Sequence, residues 1–201
     1  MLFKSLFSRI VRILIKPRDE WVIIKQEKTN TLRLFVGYAV ILAAIPEIAR
    51  LLGEILGGVR DPSGRSVIFS FMGNTGIYYF MGLIKVYLAV FIIFLIAPFF
   101  ESKKDWIGSA KLVVYSLTPC WLAGLIFIVP NNALRVFATL AGSLYAIYLL
   151  YLGVVSPLID TPKENSAIFI IASSGAIVLS YVILELLVDS FLLFHAINKI
   201  I

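Results

Sequence analysis

With 201 residues, 60% of them hydrophobic and only 15% charged, and a mean hydropathy of +0.96, the chain carries more apolar surface than a soluble domain of this size can hide. Soluble domains hold about 25% charged residues, so lipid is the solvent for most of this chain, and no hydrophilic stretch is long enough for a second fold. The net charge of +6 is concentrated before and at the start of the first long apolar stretch, in Lys4, Arg9, Arg12, Lys16, Arg18, Lys25, Lys28 and Arg33, which reads as an orientation signal and a contact with anionic lipid rather than a nucleic-acid site.

The opening "MLFKSLFSRIVRILIK" is interrupted by charges too often for a signal peptide. On a helix it separates by face: Leu2, Phe3, Leu6, Phe7, Ile10, Val11, Ile13 and Leu14 on one side, Lys4, Ser5, Ser8, Arg9, Arg12 and Lys16 on the other. That pattern predicts an amphipathic helix lying in the membrane interface; a surface helix packed on the rest of the protein is the alternative. Residues 1–30 thus read as a basic, amphipathic cytoplasmic segment, and 31–201 as an all-α domain of five transmembrane helices.

The spans are predicted at Thr31–Leu52, Ile77–Phe100, Leu112–Val129, Ala133–Val155 and Ala167–Val188, each near the roughly 20 residues that cross a bilayer core. The third can begin earlier, near Trp106, if Lys111 snorkels to the interface. "VPNN" makes spans three and four an antiparallel hairpin, and Thr161, Pro162 and Glu164 form a helix start for span five. With the N-terminus inside, the inner segments hold twelve Lys/Arg against five outside, which places the N-terminus in the cytoplasm and the C-terminus outside.

That orientation puts charged residues from three spans in the outer half of the bilayer: Glu47 and Arg50 on span one, Lys85 on span two, Glu185 and Asp189 on span five. Glu47, Arg50 and Glu54 share one helix face, and Tyr181, Glu185 and Asp189 share another. Unpaired ions in hydrocarbon are costly, so the two stripes should meet around Lys85. Either the cluster fixes helix register, or it lines a polar vestibule in which a carboxylate exchanges protons or ions; nothing comparable is evident in the inner half. Ala138, Gly142 and Ala146 form a small-residue ladder on span four, and Ala172, Gly175 and Ala176 offer another on span five. The two ladders suit a contact between those spans, or dimerisation. Tyr145, Tyr148 and Tyr151 approach the cytoplasmic interface.

Catalytic motifs are missing from the sequence. His195 is the single histidine and Cys120 the single cysteine, which excludes an internal disulfide and offers no cluster for a metal. "ASSGA" lacks a nucleophile-elbow pattern and "LLGEILGG" has the wrong glycine spacing for a dinucleotide or phosphate loop. No enzyme activity, cofactor or metal is expected.

"KPRDEWVIIKQE" (Lys16–Glu27), "YSLTPCWLAGL" (Tyr115–Leu125) and "YLGVVSPLIDTPKENS" (Tyr151–Ser166), together with five spans, resemble the Yip family of Rab-GTPase-interacting membrane proteins, in particular its bacterial and archaeal members. The resemblance covers roughly residues 15 to 190, with Pro17, Arg18, Trp21, Pro119, Tyr151, Gly153, Pro162, Lys163 and Glu164 matching its pattern. It implies five spans, a cytoplasmic N-terminus and a prokaryotic plasma membrane. In eukaryotic members it implies binding of prenylated small GTPases, oligomerisation and vesicle formation; the shorter N-terminal region here argues against GTPase binding. Pro17, Arg18, Trp21, Pro162, Lys163 and Glu164 are the candidates for a cytoplasmic docking surface, with Trp21 its anchor. The expected function is membrane organisation or scaffolding of protein partners or of further copies of the chain. A small transporter or channel using Glu47, Lys85 and Glu185 is the alternative.

Overall fold

Pro17 cannot donate a backbone N–H and bars its predecessor from helical geometry, so the amphipathic opening breaks at Lys16 (φ −130°, ψ 59°). The computed structural model describes the backbone of residues 2–57, 68–155 and 158–197 and the side chains of 6–57, 75–155, 158–187 and 190. Among these, every regular element is helical. The helices α1 (Leu2–Ile15) and α2 (Pro17–Gln26) form a hairpin around Lys16. Asp19 and Glu20 in the first turn of α2 and Lys25 in its last complement its dipole.

Five segments are long and apolar enough to span a membrane: Thr31–Leu56, Thr75–Phe100, Trp106–Ile128, Asn132–Val155 and Lys163–Leu187. The first comprises α3 (Thr31–Leu34), a π-helical turn (Phe35–Ala39) and α4 (Val40–Leu56). Asn30 caps its start, with Oδ1 accepting from the Arg33 N–H at 2.8 Å. The second is α5 (Ile68–Ile96), closed by a 3₁₀ turn over Ala97–Phe100. The third is broken into α6 (Trp106–Ser116), α7 (Thr118–Ala123) and a 3₁₀ segment, Gly124–Ile128; Pro119 cannot complete the helical ladder at the break. The fourth and fifth spans are α8 (Asn132–Val155) and α9 (Lys163–Ile197). Asn131 Oδ1 accepts from the Leu134 N–H, and Arg135 donates to the carbonyls of Phe127 and Val129, so one side chain stitches the hairpin between spans three and four.

The third span is the central helix, with every residue from Gly108 to Ser116 buried. Three glycines permit its closest contacts. A Cβ at Gly124 would lie 2.8 Å from Pro46 Cα, and one at Gly53 would lie 2.9 Å from the Ile128 carbonyl oxygen, so spans one and three touch backbone to backbone. A Cβ at Gly142 would lie 2.9 Å from Ala123 Cβ and 3.0 Å from the Pro119 carbonyl oxygen. At Gly142 the span-four ladder therefore seats the third span, while Ala146 lines a cavity shared with the fifth. Gly175 meets nothing within 4 Å, so the second ladder is not a seam within the chain. Sequence spacing marks which faces are smooth but not which neighbour uses them.

The N-terminal hairpin shares the core of the membrane domain. Ile13, Trp21 and Ile24 are fully buried in the same cluster as Leu112, Val114, Leu149 and Phe169, and Leu6, Ile10 and Leu14 pack against it. Tyr145 donates to the Leu14 carbonyl at 2.6 Å. The surface-packed alternative for the amphipathic helix thus accounts for much of its apolar face, while Phe7 (68% exposed) and Ile15 (71%) remain outward. Lys111 does not snorkel. It is 5% exposed, and its Nζ donates to the carbonyls of Ile24 and Glu27 at 2.7 and 2.6 Å, closing the C-terminal end of α2. Thr161 Oγ1 accepts from Ser102 Oγ at 2.9 Å, tying the loop before α9, which begins at Lys163, to the end of span two.

Candidate functional site

The charge cluster forms in part. Lys85 and Glu185 are in direct ion-pair contact between spans two and five, and Lys85 also lies 5.9 Å from the centroid of the Tyr181 ring. Glu47 sits within electrostatic reach of Arg50 and Lys85. Its nearest charged atom is Arg50 Nε at 3.9 Å, beyond hydrogen-bonding range, and Glu47 Oε2 is buried without a hydrogen-bond partner among the described residues. Arg50 is held between two rings, 5.6 Å from Tyr78 and 5.4 Å from Phe127. It lines a cavity of about 580 Å³ with Glu54, Thr75, Tyr78, Arg135 and Thr139. The Asp189 side chain lies outside the described residues.

A second cavity, about 180 Å³, lies where spans two, three, four and five converge. Its wall is apolar except for Ser116, Cys120, Ser143, Ser174 and Tyr181. Cys120 and Ser143 both face into it. The hydroxyls of Ser116, Ser174 and Tyr181 are buried with no hydrogen-bond partner among the described residues. Because Tyr181 faces Lys85 on one side and this cavity on the other, the ion pair and the cavity are neighbours.

Polar groups also occupy the N-terminal half of the bundle, contrary to the expectation of an apolar inner half. Arg9 donates to Glu20 at 2.7 Å and to Glu27 at 2.6 Å, and Arg12 donates to Glu20 at 2.8 Å. Glu20 is 1% exposed. Arg9 lies 5.7 Å from the centroid of the Tyr115 ring. Tyr115 is nine residues into the third span, or about 14 Å at 1.5 Å per residue. The Thr118 hydroxyl donates its proton to the Tyr115 carbonyl, so Tyr38 must donate to Thr118, at 2.9 Å. Arg9 and Arg12 therefore face carboxylates of α2 rather than a lipid leaflet. Sequence reading passed over Glu20, Glu27 and this use of Lys111. The available signal was the pairing of Arg9 and Arg12, at i and i+3, with two acids beyond a helix-breaking Pro.

Of the docking candidates, Arg18, Lys163 and Glu164 are exposed and Pro17 and Pro162 half-buried. Lys25 and Asp160 approach to 3.8 Å and bring the two segments together. Trp21 is the correction: at 0% exposure it is a core residue, set edge-on to Tyr115 and against Gly153, and cannot anchor a partner at the surface.

An all-helical bundle of five membrane-spanning segments, with an amphipathic hairpin folded into its N-terminal end and ion pairs buried between its helices, defines a polytopic integral membrane protein. The Yip1 domain matches residues 11–185, and the chain belongs to that family. It is similar to the inner membrane protein YohC of Escherichia coli K12 and to its counterpart in E. coli O6:H1, 25% identical to each over 183 residues, which is 90% of this chain and 92% of the relative. No solved structure is significantly similar.

Proposed function

We propose that the protein is a non-enzymatic membrane organiser, with its N-terminus in the cytoplasm and its C-terminus outside. The single observation that carries this is the clamping of α1 to α2 and the bundle through Arg9, Arg12, Glu20 and Lys111. Phe7, Ile15, Val22 and Ile23 are left exposed around that hairpin. A free amphipathic helix floats in the interface, whereas one fixed to five spans acts as a rigid wedge in one leaflet. The exposed Arg18, Lys163 and Glu164 would then present a contact surface beside the wedge for protein partners or for another copy. The test is reconstitution into vesicles of defined lipid, comparing size distributions for wild type and a Phe7→Ser/Ile15→Ser variant. Wild type should shift the distribution toward smaller, more curved vesicles, and the variant should lose that shift while staying folded. Equal distributions for protein-containing and empty vesicles would sink the reading.

A second reading, passage of protons or a small ion, is favoured by the unpartnered hydroxyls of Ser116, Ser174 and Tyr181 in the otherwise apolar cavity near Lys85 and Glu185. Buried hydroxyls around a cavity of this size suit a hydrated interior. Flux measured in the same vesicles, lost in Lys85→Met, would replace the organiser reading with this one.

A further inference from the structure

We infer that the protein carries a specific site for one anionic glycerophospholipid, set between α1 and the start of the first span. Two cavities carry it, one of about 240 Å³ and one of about 510 Å³, which share Leu6, Arg33 and Gly37. The smaller is polar and includes Arg9, Lys28, Thr29, Arg33, Tyr38 and Tyr115. Glu27 also lines it, but its carboxylate accepts from Arg9, which is further neutralised by Glu20. Neither Lys28 nor Arg33 pairs with a carboxylate among the described residues, so the pocket presents two uncompensated cations to whatever enters. A phosphodiester satisfies them, because its oxygens only accept and both side chains only donate.

The larger cavity decides in favour of a lipid over a soluble phosphate. It is an apolar groove running from Arg33 along the span past Leu32, Val36 and Ile41, all exposed on the outside of the bundle. An acyl chain attached to a headgroup at Lys28 and Arg33 lies in that groove; a free anion gains nothing from it. Gly37 marks the junction. It sits in the π-helical turn, and a Cβ there would meet nothing within 4 Å, so the space above it is open. Single π turns inside helices recur at functional sites, and here the turn places the one side-chain-free residue where headgroup pocket and groove join. The site goes beyond the wedge, which needs only bulk lipid, and stands whether or not vesicles are reshaped.

The experiment titrates the full-length protein, delipidated in neutral detergent, with phosphatidylglycerol, phosphatidylcholine and glycerol 3-phosphate, counting bound molecules by native mass spectrometry. One phosphatidylglycerol should bind saturably, phosphatidylcholine at least about tenfold more weakly, and glycerol phosphate not measurably. Lys28→Gln/Arg33→Gln should weaken phosphatidylglycerol about fivefold for each cation removed, whereas Lys28→Arg/Arg33→Lys should retain it. Gly37→Leu should block the site with the charges intact. Equal binding of the two lipids, binding of glycerol phosphate as strong as that of lipid, or wild-type affinity in the glutamine pair would overturn the assignment. Should Gly37→Leu lose helicity, the glutamine pair at two exposed positions decides alone.

Discussion

Glu20 answers two arginines from the neighbouring helix and is itself almost sealed from solvent. A buried ion pair is a poor source of net stability, but removing one partner strands the other. Glu20→Gln should therefore destabilise the protein by about 3 kcal/mol, read as equilibrium unfolding in mixed detergent micelles, and should free α1 from the bundle. A loss below about 1 kcal/mol would mean that Arg9 and Arg12 find equal partners in Glu27, water or lipid. Adding Arg9→Met and Arg12→Met to Glu20→Gln should recover much of the loss, since no orphaned charge is left. The residues of this network were visible as letters but not as partners. Arg9 and Arg12 read as a lipid-facing stripe because amphipathicity records only that a face is polar. Which acid answers it depends on the turn at Pro17, which folds α2 back along α1. Trp21 misled for the same reason: an aromatic in a short polar stretch suits a docking anchor equally well until packing brings Gly153 beneath its ring.

The five spans were legible because twenty apolar residues in a row leave few alternatives in lipid. Their interruptions were not. The third span began at Trp106 because Lys111, which looked like an interfacial stop, is capped internally by the carbonyls of α2. Helix partners were harder still, since lipid and protein are both apolar and packing alone selects the neighbour. Gly142 and Gly175 separate the two cases. Gly142→Ala should cost about 1–3 kcal/mol, because its Cβ would press on Ala123 and the Pro119 carbonyl. Gly175→Ala should be neutral or stabilise by up to about 1 kcal/mol, as alanine replaces glycine in an open helix interior. Both are read from unfolding curves on single-site variants. Destabilisation at Gly175 would reveal a seam used by another copy of the chain, and with it the dimerisation face that the sequence suggested.

At the scale of the whole molecule, polar groups stand at both ends of the bundle and in the cavity between. Lys85 and Glu185 join the second span to the fifth, which is the least buried of the five. Phe169 and Ile170 pack its N-terminal part into the core, and the ion pair holds it further along. Lys85→Met should loosen span five, and so should Glu185→Gln; the double variant should be less destabilised than the sum. The resulting coupling energy should be on the order of 1–2 kcal/mol, measured as a double-mutant cycle on unfolding. A lock and a gate respond differently to these substitutions. If the pair only fixes register, adding compensating variants that restore stability restores every property of the protein. If the pair also conducts, Glu185→Gln abolishes flux even where stability is unchanged, because the carboxylate is then the group that carries the proton. Unchanged flux in a stable Glu185→Gln protein would leave the pair a structural tie, and the buried hydroxyls of Ser116, Ser174 and Tyr181 would then line a packing defect between four helices.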